Sequence, residues 1–307
     1  MITAVCLNPC IDRFVRVQTF ALGETNRIAS EYSISAGKGV HVAIATARLG
    51  LESRLVGLLG EENGDPIAAR LAADGVPHEF VRYAGAVRVN LKIQEQTGLI
   101  TELNEAGHPV APADVEAVVS RILSLAAPGS YLVLTGSLPP GCPTDSYARI
   151  LRAVPPGCRC VLDASGPALI AGLAASPYLV KPNIEELSQA VGKRLSALPE
   201  IRQAALSLTD RGIPLVAVSM GAQGALMTDG KRTLYAPSLP VAVTTTVAAG
   251  DSMVAGILYG LSMRAELEDL LRCGVAAAAA TVSDPEGGLL RRPRFEALLP
   301  QVRCEEI

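Results

Sequence analysis

The sequence predicts an α/β protein with a mostly parallel central sheet, helices on both of its faces and a small second β-sheet set off from it. Three observations predict it. From residue 113 onward, short buried-type strands alternate with helical patterns, which is the grammar of repeated β-α units. Each of these strands is followed by Gly, Pro or Asn, at the carboxyl ends where open α/β sheets bind their ligands. Two stretches with period-two alternation interrupt the pattern, near residues 11–35 and 80–104. A chain of 307 residues then reads as one large domain, 1–307, with these strands inserted as an appendage.

Taken in order, residues 1–7 form a first strand, and Asn8-Pro9-Cys10-Ile11-Asp12-Arg13 turn into alternating residues 14–18. Ile28, Ser30, Tyr32 and Ile34 share one face of the next short strand. Gly37-Lys38-Gly39 opens a helix that ends near Leu49-Gly50. Residues 55–59 are a strand, and 67–73 a helix stopped by Gly75 and Pro77. In 87–93 the apolar residues are all odd-numbered, so Arg88, Asn90 and Lys92 share one face, roughly 6–7 Å apart along the strand. That face reads either as a solvated outer surface or as an anion-binding one. Residues 115–125 look helical, and 131–135, 159–163, 178–181 and 214–219 are buried-type strands. Residues 244–247 read as a strand end that feeds a helix, where Met253, Val254, Ile257, Leu258 and Leu261 recur at helical spacing.

Composition narrows the function. Hydrophobic residues are 49% and charged ones 19%, ample for a core, while a net charge of −3 and a pI near 5.7 argue against nucleic-acid binding. The first residues lack the basic start and apolar run of a signal peptide, and no segment reads as membrane-spanning. Seven cysteines without paired zinc spacing, Cys158 and Cys160 included, suit reduced thiols in a cytoplasmic protein.

The chemistry concentrates at two helix starts. Ahead of the helix at 249, the amides of Ala249 and Gly250 are free donors at the positive end of a helix dipole, an anion site by construction. Asp251 there is either an ordinary helix-capping carboxylate or a base that takes a hydroxyl proton beside a held phosphoryl group. Gly37-Lys38-Gly39 puts flexible backbone and a cation at the other helix start, without the spacing of a Walker P-loop.

Gly37-Lys38-Gly39-Val40-His41-Val42-Ala43, Thr135-Gly136-Ser137-Leu138-Pro139-Pro140-Gly141, Lys181-Pro182-Asn183-Ile184-Glu185-Glu186-Leu187 and Ala249-Gly250-Asp251-Ser252-Met253 together resemble the phosphofructokinase-B branch of the ribokinase-like carbohydrate kinases. The resemblance spans nearly the whole chain. Thr101-Glu102-Leu103-Asn104-Glu105 and the Arg88/Asn90/Lys92 strand look most like the 1-phosphofructokinases, with tagatose-6-phosphate kinases and 6-phosphofructokinases next. It implies a Rossmann-like domain with a β-sheet lid that pairs in a homodimer, and ATP- and Mg²⁺-dependent phosphorylation of a ketohexose phosphate such as fructose 1-phosphate. A sugar-phosphate or nucleotide sensor on a decayed kinase is the competing reading.

The resemblance also implies roles. Asp251 is the base, the amides of Ala249, Gly250 and Asp251 form the anion hole, and Ala248 adjoins them as a further catalytic position. Asp12, Arg27, Gly37, Lys38, His41, Arg88, Asn90, Lys92 and Ser137 fall on the sugar side. Lys181, Asn183, Glu186, Ser219, Gly221, Gly224, Thr246, Val275 and Ala278 fall on the ATP side, and Asn183 and Glu186 also support Mg²⁺ through water. Three positions depart from the family pattern. Ala248 and Ala36 replace common glycines, and His41 stands where an Asn usually contacts substrate. Ala248 therefore either keeps ordinary dihedrals or loosens the anion hole.

Overall fold

The computed structural model describes residues 1–285 and 288–307. Its strands are β1 (Ile2–Cys6), β2 (Cys10–Val17), β3 (Ser30–Ala36), β4 (Ser53–Gly60), β5 (His78–Tyr83), β6 (Arg88–Glu95), β7 (Ile100–Asn104), β8 (Tyr131–Thr135), β9 (Arg159–Asp163), β10 (Leu179–Val180), β11 (Leu215–Ser219), β12 (Ala225–Thr228), β13 (Thr233–Ala236) and β14 (Glu305–Glu306). The helices are α1 (Lys38–Arg48), α2 (Asp65–Ala73), α3 (Pro112–Leu125), α4 (Ser146–Ala153), α5 (Gly166–Leu173), α6 (Ile184–Val191), α7 (Leu198–Thr209), α8 (Ala249–Ser262), α9 (Leu267–Val282) and α10 (Arg292–Leu298).

Ten strands form the main sheet in the order β14-β13-β12-β11-β10-β9-β8-β1-β4-β5. From β11 to β5 every neighbour is parallel, while β12, β13 and β14 extend it antiparallel. The chain runs outward from β1 to β4 and β5, then returns to β8 on the other flank of β1. That reversal makes the β1/β8 boundary a topological switch point, where a crevice opens beyond the strand ends. Apolar cores cover both faces: one gathers α1, α8 and α9, the other α3, α4 and α7.

Small residues bring the first group of helices close. A side chain at Gly39 would come within 2.6 Å of the Val5 carbonyl, so only glycine lets α1 lie this near β1. A side chain at Gly256 would meet the Cys273 carbonyl at 2.2 Å, and the alanines of α9 continue the same close seam against α8. The Thr281 hydroxyl donates to Ser252 Oγ at 2.7 Å, tying the start of α8 to the end of α9.

The smaller sheet has four strands in the order β3-β2-β6-β7. Its own core is slight, with Val15, Val17 and Ile93 buried against Phe20 and Leu91. Three expectations need correction here. Residues 80–83 lie in β5, at the edge of the main sheet, so the outer insertion starts at Arg88 rather than near 80. Residues 244–247 are not a strand. The Thr244 hydroxyl bonds the carbonyls of Val282 and Asp284, and Thr245 Oγ1 accepts from the Val247 amide. Local hydroxyl-to-backbone bonds thus outcompete the β-propensity of the Thr and Val residues. The strand expected over 178–181 shortens to two residues, Leu179–Val180.

Candidate active site

The carboxyl ends of β1, β8, β9, β10 and β11 open onto one cleft of about 520 Å³, roofed by the small sheet. The starts of α1 and α8 face into it from the side. Asp12, Gly37, Lys38, His41, Arg88, Asn90, Lys92, Ser137, Lys181, Asn183, Glu186, Ser219, Thr246, Ala248, Ala249, Gly250 and Asp251 all border it. Gly221, Gly224, Val275 and Ala278 border an adjoining apolar slot of about 540 Å³. Asn183, Ser219, Thr246, Ala249 and Gly250 belong to both hollows. Arg27 borders neither and is exposed in the loop between β2 and β3.

At the start of α8, the first backbone bond of the helix runs from the Ser252 amide to the Ala248 carbonyl. Ahead of it, the Ala249 amide reaches the Thr246 carbonyl at 3.5 Å, and the first-turn donors sit where the helix dipole favours an anion. Ala248 turns the chain into this helix with φ 62° and ψ 7°. Of the two options posed by the sequence, ordinary dihedrals are thus excluded: an alanine occupies a left-handed conformation, a cost of roughly 1–2 kcal/mol.

Asp251 lies in that first turn and is 5% exposed. Its Oδ2 is 2.9 Å from Nδ1 of His41, which is equally buried on α1. His41 therefore turns toward the carboxylate, not only toward the space for a substrate.

A buried charge network lies beneath. Oδ1 of Asp163, at the end of β9, is 3.2 Å from Lys38 Nζ and 3.3 Å from Lys181 Nζ. Burial pushes the Asp163 carboxyl up, but Lys181 and then Lys38 outweigh it and hold the acid below its usual range. For Lys38, burial favours the neutral amine, yet Asp163, Asp251 and Glu186 hold the ammonium well above its ordinary value. A side chain at Gly250 would stand 3.3 Å from Lys181 Nζ, which places that cation directly under the helix end.

Asn183 and Glu186 form a capping box at the start of α6: Asn183 Oδ1 accepts from the Glu186 amide at 2.8 Å, and Glu186 Oε2 from the Asn183 amide at 2.9 Å. The other carboxylate oxygen, Oε1, lies 4.0 Å from Lys38 Nζ. Helix capping thus occupies one oxygen of this side chain and leaves the other toward Lys38. Among the described residues there is no cluster of three His, Cys, Asp or Glu side chains that could hold a metal by themselves.

On the roof, Asn90 Nδ2 donates to Asp12 Oδ1 at 2.9 Å across the parallel β2/β6 pair. Asn90 Oδ1 is buried with no hydrogen-bond partner among the described residues, an arrangement that costs free energy unless a ligand donor completes it. Arg88 bonds the carbonyls of Asn8 and Glu105 at 3.3 and 3.0 Å. Lys92 is ion-paired with Glu102 and bonds Asn104 at 3.3 Å. The two cations of this face are therefore unequal, since Glu102 offsets the charge of Lys92. Ser137 Oγ accepts from Asn8 Nδ2 at 3.1 Å.

Asp163, Asn8, Glu102 and Asn104 were missed as site residues. Asp163 had a signal, a carboxylate closing a strand right after the apolar Cys160, Val161 and Leu162. Its two lysine partners lie far off in sequence and could not be read there.

Residues 2–291 match the model of the pfkB family carbohydrate kinases. The chain is 35% identical over 302 residues to a 1-phosphofructokinase of Escherichia coli K12, covering 98% of this chain and 97% of that one. It is 39% identical over 314 residues to a 1-phosphofructokinase of Rhodobacter capsulatus, covering 100% and 98%. Phosphofructokinase-2 from Escherichia coli, solved with substrates and products, superposes with a TM-score of 0.91 at 30% identity, covering 98% of each chain. The same protein in a tetrameric inhibited form superposes at 0.90, also with 30% identity and 98% of each chain.

Proposed function

The chain belongs to the pfkB family of carbohydrate kinases, and from that premise we propose that it is an ATP-dependent sugar-phosphate kinase that converts fructose 1-phosphate to fructose 1,6-bisphosphate. The observation that carries the reading is the meeting of two hollows at Ala249 and Gly250, beside the buried carboxylate of Asp251. A nucleotide whose base fills the apolar slot between Val275, Ala278 and Gly224 would extend its phosphates toward that junction. A sugar phosphate under the roof would approach the junction from the other side.

Asp251 takes the acceptor hydroxyl's proton as the new O–P bond forms, while the bond from the γ-phosphorus to the bridging oxygen breaks and its electron pair leaves on ADP. The amides at the start of α8, with Lys181 beneath them, offset the charge of the migrating phosphoryl group. Lys38 is held charged by Asp163, Asp251 and Glu186 and borders the same cleft. Asp12 and the unpaired Asn90 Oδ1 accept from sugar hydroxyls, and Arg88, the less neutralised cation of the roof, binds the phosphate already on the acceptor.

Glu186 Oε1 suits Mg²⁺ held mostly by nucleotide phosphates and water, because one carboxylate oxygen without a cluster fits an ion that keeps its hydration shell. That ion supplies neutralisation of phosphate charge. The exposed apolar residues of the small sheet, Tyr32, Ile100 and Leu103 among them, support self-association through that sheet as a homodimer. The seven unbridged cysteines fit a cytoplasmic setting.

An acceptor screen with Mg-ATP and coupled ADP detection tests the reading, comparing fructose 1-phosphate, fructose 6-phosphate, tagatose 6-phosphate and free fructose. Fructose 1-phosphate is expected to give the highest kcat/KM. Absence of ADP release with every ketohexose phosphate would sink the kinase assignment, and a faster 6-phosphate would move the substrate.

A further inference from the structure

We propose that His41 is a positioning residue for the base: its Nδ1–H donates to Oδ2 of Asp251 and fixes that carboxylate, leaving Oδ1 as the oxygen that receives the acceptor's proton. The proposal rests on the reading of Asp251 as base and goes beyond it by assigning the imidazole to the carboxylate rather than to the sugar.

The geometry carries it. The Nδ1–Oδ2 separation is 2.9 Å, and the residues lie 210 positions apart, on the two helices whose starts face the cleft. Both are nearly inaccessible, at 6% and 5% exposure. A carboxylate oxygen only accepts, so the contact makes Nδ1 the protonated ring nitrogen. Asp251 has a rotatable side chain bordering a polar cleft, and the nearby Lys38 attracts it. A bond from rigidly packed α1 removes that freedom: Val40, Val42, Ala43 and Ile44 around His41 are all buried against the sheet or α8. Holding a base within a fraction of an ångström of its working position is what a second residue contributes to rate. During transfer the acceptor proton ends on Asp251, and His41 keeps its own proton throughout.

The experiment separates this role from direct sugar binding. Steady-state kinetics for both substrates are measured on His41→Ala and His41→Asn. His41→Ala is expected to lower kcat by about 10–100-fold, the worth of one hydrogen bond to a charged group, with both KM values within about threefold. His41→Asn is expected to restore most of that loss, because a carboxamide N–H reaches the same oxygen. Independently, ¹⁵N NMR of the wild-type ring, assigned among only three histidines, is expected to show the Nδ1–H form.

A tenfold rise in acceptor KM at unchanged kcat in His41→Ala would overturn the proposal in favour of substrate contact. So would an Nε2–H ring with bare Nδ1 in the wild type, whatever the variants do. Full turnover by Asp251→Asn would instead remove the base assignment itself, a result that neither His41 outcome can mimic.

Discussion

The floor of the cleft and its roof are built on opposite terms. The floor lies where parallel strands of the main sheet end, and its polar groups have partners before any ligand arrives: Asp163 pairs with Lys38 and Lys181, and His41 bonds Asp251. The roof is a four-stranded sheet with a slight core. It leaves the Asn90 carbonyl oxygen unpaired and spends one of its two cations on Glu102. On the proposed reading the floor is organised in advance, as phosphoryl transfer requires of groups that must not reorganise during reaction. The roof keeps an open acceptor atom, which the proposed sugar phosphate would complete. On the proposed reading, the first sets the chemistry and the second the choice of substrate.

The sharpest way to break this contrast is to remove the base. Asp251→Asn is expected to lower kcat by about 10²–10⁴-fold with ATP affinity little changed, read by coupled assay and by nucleotide titration. Retention of turnover would show that the floor does not carry the proton step.

Next in size is the network beneath. Asp163→Asn leaves two ammonium groups facing a neutral amide, and breaking a buried pair in this way costs about 3–5 kcal/mol, measurable by urea unfolding at neutral pH. The sign with pH follows from the lowered acid. A carboxyl depressed by Lys181 and Lys38 contributes its stability above the unfolded value near 3.9, and loses it as pH falls through the lower folded value. The variant is therefore expected to be less stable at pH 7 and flatter in stability below about pH 4. Equal stability at pH 7 would mean the floor is not held by this acid.

The roof is probed by Arg88→Ala. Loss of a charged hydrogen bond to phosphate, about 1.5–3 kcal/mol, should raise the acceptor KM by roughly tenfold or more while kcat and ATP KM stay near wild type. A fall confined to kcat would place Arg88 with the floor instead. Smallest is Ala248→Gly, which relieves a left-handed alanine. The gain of roughly 1–2 kcal/mol is partly offset by glycine's greater freedom when unfolded, so a rise in Tm of a few degrees is expected. A lower Tm would show that Ala248 is not strained.

Much of this was legible without coordinates. The β-α alternation, the motif order and the shared face of Arg88, Asn90 and Lys92 are local patterns, and the strand and helix periods record them faithfully. The element at 244–247 was misread for the same reason, since β-branched residues look alike in a strand and in a hydroxyl-bonded turn. Among the site residues, Arg27 shows the limit on the other side, a motif position that lies exposed in a loop outside both hollows.

What the sequence determined alone was the family, the parallel sheet and the two helix starts that face one cleft. Only the tertiary structure decided that Asp163 lies between Lys38 and Lys181, that Glu102 offsets Lys92, and that His41 bonds Asp251. Periodicity registers how each residue sits on its own element, whereas charge pairs form between elements brought together by the burial of other residues. The helix carrying His41 approaches the sheet because Gly39 clears the Val5 carbonyl, and nothing at position 41 itself reports that approach.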